Sequence, residues 1–287
     1  MTLQPSSMVA LSLLVAGSSS LAADAAASAP QSHTYRQVGG RDLKAHVYLP
    51  KTAGQNRPAI LLFHGGGWRI GEPAWLFERA KQFTLKGLVA MSIEYRLSND
   101  GPSPADAVED ACAAFAWARE NASTFGIDRT RVAGYGVSAG GHLVAVAGTL
   151  PFVKGRRIGA DERPNAMLLF SPALGMARNE YFGGLMEGKG DPAAYSPLEF
   201  VSRTLPPTLV IQGEEDSIVL TRDARAFCEA AQRAGVVCSL HVYPKVGHLL
   251  TRNLEVQYKD FDSDPAFGAD AHKREDAFLV TVGYVRE

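Results

Sequence analysis

Short apolar runs alternate with amphipathic stretches along most of the chain. The runs are rich in Val, Ile, Leu and Ala, which is typical of strands buried on both faces of a sheet. They lie at residues 59–63, 88–94, 132–135, 167–170, 208–211 and 240–243. Between them, apolar residues at three- and four-residue spacing predict helices near 75–86, 104–125, 139–150, 221–234 and 271–286. This alternation predicts a mostly parallel, doubly wound α/β sheet with helices on both faces.

A different pattern precedes the first of these runs. Residues 35–38 and 43–49 flank the turn sequence Gly-Gly-Arg-Asp, which predicts an antiparallel hairpin at the sheet edge. The chain has 287 residues, 46% of them hydrophobic, and no internal repeat, so one large core is easily built. We therefore expect a single domain over residues 35–287.

The first 34 residues have the composition of a targeting segment. An apolar core at residues 8–16 is followed by Ser20-Leu21-Ala22, which matches a small-x-small cleavage site. These features predict a signal peptide over residues 1–22, cleaved near Ala22, and a disordered Ala/Ser linker over residues 23–34. The protein would then be secreted or periplasmic. Because no Lys or Arg occurs before Arg36, an uncleaved anchor or a mis-assigned start stays open, although the run is too short to span a bilayer.

Charge and cysteine content narrow the function classes. The formal net charge is −1, so no basic field indicates nucleic-acid binding. No Cys/His cluster has the spacing of a zinc site, and we expect neither a metal nor another cofactor. Cys228 on a predicted helix and Cys238 at the start of the next strand are placed for a disulfide, with two buried thiols as the alternative. Cys112 lies on an apolar helical face and is expected to be buried.

The residues with the clearest chemical meaning are 136–141, Gly-Val-Ser-Ala-Gly-Gly. They follow an apolar run directly and open a helix of small residues. In a nucleophile elbow, Gly-x-Ser-x-Gly holds a serine on a strained strand-to-helix turn, so that its hydroxyl projects from the sheet. The pattern by itself also fits a tight turn. It makes Ser138 a candidate nucleophile whose partners must be sought elsewhere in the chain.

The second motif is His-Gly-Gly-Gly-Trp at residues 64–68, directly after an apolar run. Glycines leave backbone N–H groups uncovered, and such donors stabilise the oxyanion formed in acyl transfer. We expect the N–H groups of Gly66, Gly67 and Ala139 to form an oxyanion hole. A phosphate-binding loop is disfavoured because neither Gly-Lys-Ser/Thr nor Gly-x-Gly-x-x-Gly occurs here.

A serine nucleophile needs a general base, and elimination among seven histidines favours His248. This residue follows a strand and a turn late in the chain. The others lie in the N-terminal segment, inside predicted strands, beside the oxyanion glycines or on helices: His33, His46, His64, His142, His241 and His272.

The third member of the triad is expected between Ser138 and His248, because the hydrolase order is Ser, Asp/Glu, His. Asp216, after the strand at 208–211, is the best candidate. Its carboxylate would accept the imidazole N–H and stabilise the imidazolium. Glu214 and Glu215 remain competitors, and Asp216 is also placed to cap the helix that follows.

Together these motifs resemble the esterase/lipase group of α/β-hydrolases. The resemblance runs from about residue 40 to the end of the chain and includes Tyr-Arg-Leu at 95–97 and Gly-Ile-Asp at 126–128. Within the group it is closest to small carboxylesterases of the acetyl-esterase type, including those acting on acetylated or feruloylated polysaccharide. It differs from the hormone-sensitive-lipase branch in leaving little room for an N-terminal helical cap. The resemblance implies an α/β-hydrolase fold with a minimal cap.

The expected activity is that of a serine carboxylesterase that hydrolyses short-chain acyl esters through an acyl-enzyme. Small-molecule or carbohydrate esters, including acetyl and feruloyl esters, are the expected substrates. Trp68 and residues 177–186 are expected to shape the substrate pocket. An arylformamidase-like amidase or a serine peptidase on the same fold is the alternative, and a catalytically silent binding protein is the alternative of another class. No stable membrane span is expected, and the oligomeric state stays open.

Overall fold

The computed structural model describes residues 29–52, 54–99 and 101–286, and the predicted signal peptide lies outside them. Eight strands form one sheet in the order β1-β2-β4-β3-β5-β8-β9-β10. The strands, with the short hairpin β6-β7, are β1 Gln31–Val38, β2 Arg41–Tyr48, β3 Arg57–Phe63, β4 Val89–Ile93, β5 Ile127–Val137, β6 Phe152–Val153, β7 Arg156–Arg157, β8 Ala166–Phe170, β9 Thr208–Gly213 and β10 Cys238–Tyr243. In the eight-stranded sheet β2 pairs antiparallel with both β1 and β4 and the remaining pairs are parallel, whereas β6 and β7 pair antiparallel.

Helices cover both faces of this sheet. They are α1 Phe77–Leu85, α2 Pro104–Glu120, α3 Ala122–Phe125, α4 Ala139–Thr149, α5 Glu180–Met186, α6 Thr221–Arg233 and α7 Pro265–Thr281. One face packs on α2, α4 and α6 through side chains such as Phe115, Leu143 and Phe227. The other packs on α1 and α7 through Phe83 and Leu279. The predicted α/β-hydrolase architecture with an antiparallel N-terminal hairpin is confirmed.

The structure corrects several predicted boundaries. Strand β1 begins at Gln31, so residues 31–34 of the predicted linker belong to the sheet. They are ordered by pairing with β2 and by packing of the His33 ring, 5.2 Å from that of Phe125. The last helix begins at Pro265 rather than at residue 271, because Asp264 caps it by accepting hydrogen bonds from two backbone N–H groups.

Two of the three cysteines lie where helix α6 meets strand β10. Cys228 and Cys238 form a disulfide with a Cα–Cα distance of 5.2 Å. Cys112 is a buried free thiol on α2, and burial raises its pKa to about 12. In the described part of the chain, no helix is long and apolar enough to cross a bilayer.

Parallel pairing brings the carboxyl ends of β3, β5, β8, β9 and β10 to one edge of the sheet. Loops that follow buried parallel strands are where α/β proteins place their sites. The three predicted motif regions follow β3, β5 and β9, and the predicted base follows β10. The topology therefore collects residues far apart in sequence at one edge.

Candidate active site

Ser138 lies on the turn between β5 and α4 with φ = 53° and ψ = −116°. A non-glycine residue in this conformation is strained and persists only where its surroundings enforce it. Here close backbone packing does so. A Cβ on Gly136 would lie 2.4 Å from the carbonyl oxygen of Gly140, and one on Gly140 would lie 2.1 Å from that of Phe63. The glycines therefore let the turn close tightly, as a nucleophile elbow requires.

The glycine loop after β3 lies directly beside this turn. A Cβ on Gly65 would lie 3.3 Å from the Cβ of Ser138. Gly66 and Gly67 both have positive φ, at 109° and 59°, a region that favours glycine. In the described part of the chain, no hydrogen bond uses the N–H of Gly66, Gly67 or Ala139 as donor. These groups are free to bind an oxyanion.

The side chains of His64 and Tyr95 support the loop at residues 64–68, which we call the oxyanion loop. Their rings stack with a centroid distance of 4.4 Å. The Tyr95 hydroxyl donates to the carbonyl oxygen of His64 at 2.8 Å, and the His64 Nδ1 lies 2.7 Å from the carbonyl oxygen of Gly65. Burial lowers the pKa of His64, which favours the neutral ring. His64 thus braces the loop that carries the expected oxyanion donors.

Three predicted side chains meet at the sheet edge. The His248 Nε2 lies 3.0 Å from the Ser138 Oγ, and the His248 Nδ1 lies 2.9 Å from the Asp216 Oδ2. Ser138, Asp216 and His248 are 9%, 4% and 4% exposed. Nucleophile, base and orienting carboxylate within hydrogen-bond distance are the geometry by which a serine hydroxyl is activated.

The surroundings of Asp216 decide between the alternatives left open by the sequence. Glu214 and Glu215 are exposed, whereas Asp216 is buried against His248. The other oxygen of Asp216 accepts hydrogen bonds from the N–H groups of Ile218 and Val219, both at 2.9 Å. Helix α6 begins only at Thr221, so Asp216 holds its own loop rather than capping that helix.

Sequence reasoning missed a neighbour of this carboxylate. Gln212, the penultimate residue of β9, is fully buried and donates through Nε2 to the Asp216 Oδ2 at 2.9 Å. The same nitrogen donates to the carbonyl oxygen of Val219 at 2.9 Å. Gln212 thereby restrains the oxygen that faces His248. A polar residue near the end of a buried strand, four positions before Asp216, was the signal that could have identified it.

The side chain of Trp68, which the sequence predicts to shape the substrate pocket, is buried. Its indole is 4% exposed and packs against Phe182, with a centroid distance of 5.0 Å. The indole N–H donates to the Nδ1 of His142 at 3.3 Å, which satisfies a donor that would otherwise be buried without a partner. Trp68 therefore joins the oxyanion loop to helix α4 in the interior.

A cleft of about 570 Å³ lies between residues 175–181 and 218–223, and the second of these segments follows the Asp216 loop. Tyr181 connects it to the oxyanion loop, since its hydroxyl donates to the carbonyl oxygen of Gly67 at 3.1 Å. The cleft includes the first part of the expected pocket segment 177–186. Its lining mixes apolar and charged side chains, including Met176, Leu198, Arg178, Glu199 and Asp223.

Solved structures resemble this chain over nearly its whole length. Esterase 2 from the planctomycete Thermogutta terrifontis is 29% identical, with a TM-score of 0.78, covering 92% of this chain and 95% of that one. The same esterase phosphoramylated by tabun is 28% identical, with a TM-score of 0.81, covering 91% and 97%.

Similarity to curated proteins covers shorter parts of each relative. Residues 45–161 match the BD-FAE family. Carboxylesterase NlhH of Mycobacterium tuberculosis is 37% identical over 117 residues, which are 39% of this chain and 35% of NlhH. Carboxylic ester hydrolase LipN of the same species is 30% identical over 233 residues, which are 72% of this chain and 60% of LipN. The chain thus spans between about a third and three fifths of these two relatives.

Sheet topology, the nucleophile turn and the solved structures define the class of this protein: it is an α/β-hydrolase. Within that class, the relatives and the solved structures that it resembles are esterases.

Proposed function

We propose that this protein is a serine carboxylesterase in which Ser138, His248 and Asp216 form the catalytic triad. The observation that carries the proposal is the continuous relay from the Ser138 hydroxyl through the His248 ring to the Asp216 carboxylate, with both contacts at 3.0 Å or less. The esterase relatives and esterase structures support the same activity.

The geometry supports a reaction in two half-reactions. His248 removes the Ser138 proton as the oxygen attacks the acyl carbon, and the N–H groups of Gly66, Gly67 and Ala139 bind the oxyanion. His248 then protonates the departing alcohol, leaving an acyl-enzyme. A water molecule deprotonated by His248 attacks that ester, and His248 then returns the proton to the Ser138 oxygen as the acid leaves. Each oxyanion donor is worth roughly 3 kcal/mol of barrier.

The substrates we propose are esters of short acyl chains, including acetyl or feruloyl esters on carbohydrate. The charged and apolar lining of the cleft beside Tyr181 supports a leaving group with both apolar and hydroxylated surfaces. We also propose that the protein is exported, as the apolar N-terminal segment predicts. The Cys228–Cys238 disulfide supports export, because disulfides persist mainly in oxidising compartments.

The test compares the wild type with Ser138→Ala and with Ser202→Ala, which alters an exposed serine. We expect Ser138→Ala to lose at least about a thousandfold in kcat on p-nitrophenyl acetate with an unchanged melting temperature. Ser202→Ala should match the wild type. Near wild-type turnover by Ser138→Ala would contradict the proposal.

Two further measurements separate the alternatives. A fluorophosphonate probe should label Ser138 covalently, and an unlabelled Ser138 would favour a binding protein. A series of p-nitrophenyl esters from acetate to palmitate, with acetylated xylan, methyl ferulate and an N-formyl arylamine, should show the highest kcat/KM on short esters. Preference for the formamide would favour an amidase.

A further inference from the structure

A buried carboxamide lies behind the two loops that carry the acid and the base. Gln257 follows a short 3-10 helix, Leu254–Val256, in the segment between His248 and helix α7. Its side chain is buried, and glutamine is a residue type that is mostly exposed. A buried amide costs folding free energy unless its polar atoms are paired. The partners of Gln257 therefore indicate what the residue does.

Gln257 makes four hydrogen bonds, and three of them reach residues in or beside the triad. Its Oε1 accepts from the N–H of His248 at 2.9 Å and from the N–H of Ser217 at 3.1 Å. Its Nε2 donates to the carbonyl oxygens of Glu215 at 2.9 Å and of Leu254 at 3.2 Å. The amide thus binds the residues on both sides of Asp216 and the backbone of His248 itself.

Two neighbouring glycines leave the space that this amide and the adjoining backbone occupy. A Cβ on Gly247 would lie 2.3 Å from the Gln257 side chain, and a Cβ on Gly213 would lie 2.2 Å from the carbonyl oxygen of Gly247. The loops after β9 and β10 therefore pack backbone to backbone with the carboxamide across their junction. Only glycine at 247 admits the amide at this distance.

The backbone after His248 needs such support, because it is strained. Leu249 and Leu250 have φ values of 55° and 61°, a region that costs free energy for side chains larger than glycine. Ser171 accepts a hydrogen bond from the Leu249 N–H at 3.1 Å, and Ser263 donates to the Leu249 carbonyl at 2.7 Å. Ser263 and Gln257 belong to the same segment, so residues 254–263 hold this turn from one side.

We propose that Gln257 is a positioning residue that locks the Asp216 loop to the His248 loop and so keeps the imidazole aligned with the Ser138 hydroxyl. The inference rests on the proposed esterase function. Its physical basis is the sensitivity of catalysis to geometry: displacement of a reacting group by about 1 Å can cost about a hundredfold in rate. Gln257 acts through His248 and Asp216 and does not touch the reacting atoms.

The experiment uses the full chain with Gln257→Ala, Gln257→Met and the control Asn165→Ala. Asn165 accepts two hydrogen bonds, from Arg119 and from the Val132 N–H, at the amino end of β8, which is the sheet edge opposite the triad. For each protein, kcat and KM on p-nitrophenyl acetate are measured from pH 5 to 9, together with the melting temperature. Assays are run well below the lowest melting temperature.

We expect Gln257→Ala to lower kcat by about 10- to 100-fold with KM changed less than about threefold. Gln257→Met keeps the volume but removes all four side-chain hydrogen bonds, so kcat should fall to a similar extent with KM again changed less than about threefold. Asn165→Ala should lower the melting temperature while kcat and the pH profile stay unchanged.

Folded Gln257 variants with kcat within twofold of the wild type would overturn the proposal. If Gln257→Ala does not fold, Gln257→Met decides by the same ratio of kcat and KM effects. A purely structural role would lower the melting temperature of the Gln257 variants, as in Asn165→Ala, without lowering kcat. Failure of the esterase proposal is distinguishable, because the wild type itself would then lack Ser138-dependent turnover.

Discussion

Ser138 and His248 meet in one hydrogen bond, but the two halves of the site around them are built differently. In the nucleophile half, which comprises residues 64–68 and 136–141, Gly136 and Gly140 allow backbone to lie against backbone at distances that no side chain permits. In the acid–base half, which comprises the loops that carry Asp216 and His248, the side-chain amides of Gln212 and Gln257 hold the loops by hydrogen bonds.

The difference shows what each half requires. An oxyanion site needs backbone N–H groups at a fixed place, and close packing of glycine loops provides this, with the His64 and Tyr95 side chains bracing the loop at residues 64–68. A relay needs an imidazole ring held at a precise distance and angle between two partners. Side-chain hydrogen bonds provide that restraint, and strain at Leu249 and Leu250 makes them necessary.

The largest effect on kcat is expected from Gly140→Ala, which disrupts the close backbone packing of the nucleophile half. The new Cβ would lie 2.1 Å from the carbonyl oxygen of Phe63 and 2.5 Å from that of His64, so the oxyanion loop must move. We expect kcat to fall by about a thousandfold, comparable to the loss of an oxyanion donor. Gly268→Ala is the matched control, because it is also a helical glycine but has open space around its Cβ position. Equal kcat values for the two variants would contradict close packing as the basis of this half.

The next prediction concerns the pH dependence of folding stability. It depends on His142, a buried titratable side chain next to the nucleophile turn. Burial lowers the pKa of His142 to about 4, opposed in part by its contact with the Tyr195 carbonyl. The unfolded chain then binds a proton below pH 6.5 that the folded chain does not. Folding stability should therefore fall as pH drops from about 6.5 to about 4, by about 3 kcal/mol from this residue. Denaturant unfolding of wild type and His142→Met should give curves against pH that converge on acidification, and parallel curves would refute this role.

A smaller effect on rate is expected from Gln212→Met, which sharpens the description of the acid–base half. Methionine keeps the volume but removes the hydrogen bonds to Asp216 and to the Val219 carbonyl. We expect kcat to fall about tenfold with KM unchanged, since the carboxylate loses a restraint but keeps its charge. Steady-state kinetics on p-nitrophenyl acetate measure this. An unchanged kcat would mean that Gln257 and the loop backbone suffice to hold Asp216.

The smallest effect is expected from Trp68→Phe, a side-chain change in the nucleophile half. It removes the indole N–H that His142 accepts but retains an aromatic ring against Phe182. We expect a loss of about 1 kcal/mol in stability and less than about threefold in kcat. A loss above tenfold would show that the Trp68–His142 hydrogen bond matters as much for kcat as the hydrogen bonds of Gln212.

The sequence predicted the nucleophile half more completely than the acid–base half, for a physical reason. Glycine loops at residues 64–68 and 136–141 are local patterns, and their conformations are encoded by the absence of side chains. Asp216 and His248 could be inferred from chain order and from their positions after strands. Gln257 could not, because its segment has no periodicity and its meaning depends on contacts with residues 215, 217 and 248.

The sequence by itself determined the alternation of strands and helices, the serine turn, the glycine loop and the order of the triad, because each is encoded by local pattern or by chain order. Tertiary structure alone decided that Asp216 rather than its glutamate neighbours faces His248, that Trp68 points inward, and that β1 includes residues 31–34. These outcomes depend on which surfaces come into contact when the chain folds. Burial and hydrogen-bond pairing across long sequence separations select them, and neither is visible in a local pattern.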